Sequence, residues 1–159
     1  MIVDAEKIQN AYLAWARRAA PFGLVLLALI GAEQAASAAG FWGAPGADAS
    51  VRPIGWTVGA AAIFIGRGLK YRDLTSDADP LAAAAGTSWT LLGMALAPAL
   101  VGFVLSFMTR FAADFYLLLA VSLVGYGVLF PRLELWRRWI GVGDAFDEGR
   151  DPEKGSGHR

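Results

Sequence analysis

The chain of 159 residues contains no cysteine and a single histidine, His158, close to its C-terminal end. Disulfides, iron–sulfur clusters and thiolate metal sites are therefore excluded. A haem held by paired histidines, or a His-ligated catalytic metal, cannot be assembled from the apolar part of the chain. Charge is also sparse. No Lys, Arg, Asp or Glu occurs in 80–107 or 115–130, and Glu33 is the lone one in 21–40. The first twenty residues carry Asp4 and Glu6 and lack a small-residue cleavage site. They lead into a full-length apolar run instead of a short one, so no secretory signal is expected there.

What fills the chain is apolar sequence. The hydrophobic fraction is 56% and the mean hydropathy +0.45, even though 14 basic and 14 acidic residues are present. Four stretches, about 21–40, 54–72, 80–107 and 115–130, approach the roughly 20 apolar residues that a membrane-crossing helix requires. The expected fold is all-α: a polytopic integral membrane protein with a bundle of four transmembrane helices across 21–130.

The basic residues orient that bundle. Lys7, Arg17 and Arg18 precede the first stretch, Arg67, Lys70 and Arg72 close the second, and Arg132, Arg137 and Arg138 follow the fourth, with Arg150, Lys154 and Arg159 beyond. The two opposite loops hold only Arg52 and Arg110, twelve against two. Short basic loops stay cytoplasmic, so both termini are expected inside. High Ala, Gly and Arg usage resembles that of bacteria with GC-rich genomes, so a bacterial inner membrane is the expected location.

Flanking segments read as interfacial. Ile8, Tyr12 and Trp15 recur at helical spacing in 1–20, which predicts an amphipathic helix at the membrane surface or a cytoplasmic extension of the first span. Pro21 marks a bend or a first helical turn. The segment 131–140 predicts a second interfacial piece. Trp15, Arg17 and Arg18, and Trp136, Arg137, Arg138 and Trp139, are the expected headgroup anchors, with Trp42 and Trp56 at the opposite loop. Asp79 before Pro80 predicts an N-cap and first helical residue, Pro98 a tilt or kink, and Asp114 a cap on the fourth span opposite Arg110. From 141 to 159 the composition is too polar for a core and predicts a disordered tail.

Glu33 is the leading candidate for chemistry. A carboxylate at that depth is costly unless protonated, paired or turned to a protein interior, so it is a candidate proton or ion site, together with Gln34 and with Ser37 one turn on. Arg52 and Arg110 are its possible partners. Thr87, Ser88 and Thr90 suit helix packing. Asp73, Asp77 and Asp79 form an acidic loop without the spacing of a recognisable metal signature. Gly55, Gly59, Gly66 and Gly93, with Ala62 and Ala97, form small-residue seams, as do Gly31, Ala35 and Ala39 in the first span. An offset of 59 residues relates Pro21 to Pro80, Gly66 to Gly125 and Gly68 to Gly127, the pattern of either tandem hairpins or chance.

No catalytic, cofactor or metal motif stands out. The expectation is a non-enzymatic accessory or structural subunit whose partners are the lipid bilayer and other membrane subunits or copies of itself, not nucleic acid. The alternative is a small proton- or ion-coupled transporter or channel component working through Glu33.

Overall fold

The computed structural model describes residues 4–42, 50–72, 74 and 79–141. They form six helices: α1 (Ala5–Ala19), α2 (Phe22–Ala38), α3 (Val51–Lys70), α4 (Pro80–Thr109), α5 (Ala112–Leu129) and α6 (Leu133–Trp139). Among the described residues there is no strand. All of the expected tail at 141–159 except Gly141, and the acidic residues Asp73 and Asp77, lie outside the described residues.

Among the described residues, three helical stretches are long and apolar enough to cross a membrane: Ala5–Ala38, which joins α1 to α2, then α4, then α5. This supports a membrane-embedded helical bundle. It does not reach the expected count of four, because α3 is less apolar. At 20 residues it has a length of about 30 Å, but Arg52 sits near its start and Arg67 and Lys70 in its last turn.

α4 is the axis of the bundle, packed against α5, α3 and α2 along its length and against α1 and α6 at one end. Its start is built as the sequence predicts. The Asp79 carboxylate accepts from the Ala82 amide at 3.1 Å, and Pro80 occupies the first turn, where no amide proton is needed. Pro98 lies buried inside this single helix of 30 residues. It has no amide proton for the Met94 carbonyl and crowds that turn. One residue on, the Ala95 carbonyl accepts the Ser122 hydroxyl of α5, which ties α5 to the turn that holds the proline.

α3 lies on α4 and α5 through its glycines. A Cβ at Gly55 would come 3.0 Å from Leu105, at Gly59 3.0 Å from Leu118, and at Gly66 2.7 Å from Leu129. Two further glycines, outside the seams expected from the sequence, sit at tight α4–α5 and α3–α5 contacts. A Cβ at Gly102 would meet the Leu118 Cβ at 2.7 Å and the Asp114 carbonyl at 3.2 Å, and one at Gly125 would collide with Ile63. At Gly93 and Gly31 an added Cβ meets nothing within 4 Å, so neither lies in a seam within the chain.

The 59-residue offset carries over to local environment but not to packing. Gly66 and Gly125 both face close neighbours, whereas Gly68 and Gly127 both face open space. The hairpins are nevertheless not arranged alike. α4 packs along α5, whereas α2 packs chiefly on α4, not on α3.

At the end where α1 and α6 sit, the indoles expected at the headgroups are turned inward. Trp15, Trp136 and Trp139 are buried in one cluster with Ile8, Leu74, Leu91 and Leu129. Trp136 Nε1 donates to Ser88 Oγ at 2.9 Å, and Trp139 Nε1 to the Lys70 carbonyl at 3.0 Å. Tyr12 meets Trp136 edge-on at 5.7 Å between ring centres. Arg17, Arg18 and Arg138 remain exposed, while Arg137 is half-buried. The helix α1 therefore packs its periodic Ile8–Tyr12–Trp15 face on protein.

Candidate functional site

α2 is the peripheral helix. Its inward residues Phe22, Leu26, Leu29 and Ile30 pack on a cluster of Leu96, Ala99, Phe115 and Leu119 from α4 and α5. The one fully buried residue of the helix is Glu33. This follows from spacing: residues 26, 29, 30 and 33 share one helical face, so a carboxyl group continues an otherwise apolar stripe.

The surroundings of Glu33 are thin in partners. Ser106 Oγ, on α4, stands 3.4 Å from Glu33 Oε2 but only 2.8 Å from the Phe103 carbonyl. The hydroxyl has one proton, and the shorter bond takes it. Glu33 Oε1 is buried with no hydrogen-bond partner. A buried polar atom left in this state is uncommon and calls for a function or a missing partner. Ser37, expected to join Glu33, is exposed.

Gln34 points the other way. Its amide donates to the Tyr116 hydroxyl of α5 at 2.6 Å, on the exposed side of the pair. Gly31, Gln34, Ala35 and Ala38 lie on one face of α2 by spacing, and all are exposed.

Arg52 and Arg110, possible partners of Glu33 from the sequence, are committed elsewhere. Arg52 reaches from α3 to Asp114 on α5, with Nη2 at 2.8 Å and Nε at 3.1 Å from Oδ1. Its guanidinium also lies 4.7 Å from the centre of the Phe111 ring. Trp56 Nε1 adds a 3.3 Å bond to the same oxygen, and Thr109 Oγ1 stands 3.2 Å from Oδ2. Asp114 is completely buried, while the Arg52 side chain keeps 37% of its surface exposed. Arg110 ends α4 in the left-handed region at φ 52° and places its guanidinium over Phe41.

Asp114 is thus not the expected cap. Phe111 occupies the cap position without a side-chain bond, and Asp114 stands in the first turn of α5. There the positive end of the helix favours its charge while the carboxylate joins three helices. A signal for this cluster is present in the sequence. Arg52 and Asp114 are opposite charges at the same end of the second and fourth apolar stretches, and ionisable groups held near lipid tend to pair; that these two stretches are neighbours is not written in the sequence.

Ser88 receives Trp136, as described above, whereas Thr90 bonds back to the Gly86 carbonyl at 3.1 Å. Among the described residues no group of three or more His, Cys, Asp or Glu side chains is arranged to hold a metal ion. Two arrangements with chemical content result: a satisfied ion pair that clamps α3, α4 and α5, and an unsatisfied carboxyl between α2 and α4. Comparison with protein families, curated proteins and solved structures finds no match to this chain, so these geometries alone carry its functional reading.

Proposed function

We propose that the chain is a non-enzymatic integral membrane protein of four spans, with α3 as the fourth, serving as an accessory or structural subunit. The observation that carries this reading is the exposed Gln34–Tyr116 hydrogen bond beside Gly31, Ala35 and Ala38 on α2. Exposed leucine is at home in lipid; an exposed amide is not. The Gln34 amide retains an N–H and a carbonyl that hydrocarbon cannot satisfy. Small neighbours let another helix approach that face closely. A helix from a partner subunit, or from a second copy, removes both costs.

Purification from native membranes in mild detergent, with mass spectrometry and an intact mass, tests the proposal. The expected result is a stoichiometric partner or a homo-oligomer that Ala35→Leu disrupts while the chain still inserts. A monodisperse monomer with no partner overturns it.

A second reading rests on Glu33, whose Oε1 is buried and unpartnered: a proton- or ion-coupled transporter or channel component. Reconstituted liposomes should then show proton flux that Glu33→Gln abolishes without loss of assembly. Absence of flux from the wild-type protein removes this reading.

A further inference from the structure

A cavity lies at the α6 end, away from Glu33 and the Arg52–Asp114 pair. It encloses about 410 Å³ and is lined by Lys70, Arg132, Arg138 and Glu134 over an apolar side formed by Phe130 and Leu135. Gly127 completes the wall, and a Cβ there would meet nothing, which keeps the space open.

Three cations face one carboxylate in this cavity. Arg132 and Arg138 are exposed, and the described residues form no ion pair here, their single salt bridge being Arg52–Asp114. Lys70 is held in place from both sides. Its ammonium donates to the Val128 carbonyl at the end of α5, and its own carbonyl accepts Trp139 Nε1 of α6. The cavity is therefore a junction of α3, α5 and α6, lined by one hydrogen-bonded cation and two exposed guanidiniums.

We infer that this cavity binds the headgroup of an anionic phospholipid. Lys70, Arg132 and Arg138 take the phosphodiester, and Phe130 and Leu135 carry the first part of an acyl chain. Arginine forks match phosphate oxygens in pairs, and basic pockets between membrane helices on the cytoplasmic side suit such headgroups. Glu134 serves as the acceptor for a hydroxyl on the headgroup, which favours a glycerol headgroup over a bare phosphate. The inference rests on the membrane placement of α3 and α5, but not on the subunit assignment.

The test uses the full chain in nanodiscs that mix phosphatidylglycerol with phosphatidylethanolamine, with retained lipid counted by native mass spectrometry. Arg132→Gln/Arg138→Gln is compared with Arg17→Gln/Arg18→Gln, which removes the same charge from exposed residues of α1. Lys70 is left intact because it also bonds Val128. The expected result is preferential retention of phosphatidylglycerol that falls about tenfold in the cavity variant and is unchanged in the α1 variant. Unchanged thermal unfolding of both variants in a neutral detergent separates lipid loss from misfolding. Equal losses in the two variants would reduce the effect to surface charge and overturn the site. Competition by soluble glycerol phosphate at equal concentration would overturn the lipid as its source. No preference for phosphatidylglycerol in the wild type would overturn it as well, while leaving the partner question untouched.

Discussion

Arg52 and Asp114 meet 2.8 Å apart between α3 and α5, joining two residues that the chain separates by 62 positions. The carboxylate is sealed from solvent while the guanidinium is partly open. The two partners are consequently unequal: Asp114 depends on Arg52 more than Arg52 depends on Asp114.

Arg52→Met should destabilise the bundle by about 3 kcal/mol, since removing one partner strands a buried charge. Asp114→Asn should cost less, because Arg52 can turn to water. The double variant Arg52→Met/Asp114→Leu should recover part of the loss. Unfolding in a denaturing-detergent titration gives all three values, and strictly additive losses would refute the coupling.

The glycines differ in what surrounds them, so their alanine variants should separate. Gly102→Ala and Gly125→Ala force Leu118 or Ile63 aside and should cost about 1–3 kcal/mol. Gly93→Ala meets open space and should stabilise α4 by up to about 1 kcal/mol through helix propensity. The same titration ranks them, and an equal effect at all three positions contradicts the packing.

Ser122→Ala should loosen the α4–α5 contact one turn before Pro98. With the hydroxyl gone, the Ala95 carbonyl loses its α5 donor, at a cost of about 0.5–1.5 kcal/mol, the scale of hydrogen bonds between membrane helices. In a Pro98→Ala background the restored amide serves the Met94 carbonyl, not Ala95, so the Ser122→Ala penalty should persist. A double-mutant cycle decides, and a large coupling term would show that the serine serves the proline's turn after all.

Trp136→Phe should loosen the α1–α6 end, costing about 1 kcal/mol for the bond to Ser88 plus the packing lost around a fully buried ring. Proteolysis near the termini, or hydrogen exchange in α1, should rise while α3–α5 protection holds. Protection that falls uniformly would mean that the aromatic cluster is integral to the whole bundle.

Much of the helical layout is legible in the sequence, because apolar runs, prolines and caps act locally. The Asp79–Pro80 start of α4 and the glycine seam of α3 are examples. Side-chain partnership is less legible. Trp15, Trp136 and Trp139 have the composition of headgroup anchors, yet they share a buried cluster, since an indole beside arginine suits a lipid surface and a protein interior equally well. Asp114 looked like a cap because its position in the chain permits one; its bond to Arg52 depends on how α3 lies against α5.

By itself the sequence determined the all-helical character and the apolar stretches, since composition and periodicity act over a few residues. The tertiary structure alone decided that Arg52 belongs to Asp114 instead of Glu33. It also decided that Glu33 is the single buried residue of α2, and that Lys70, Arg132 and Arg138 border one cavity. Each of these depends on which helix faces are brought together, and no local pattern in a chain with apolar residues on nearly every face specifies that choice.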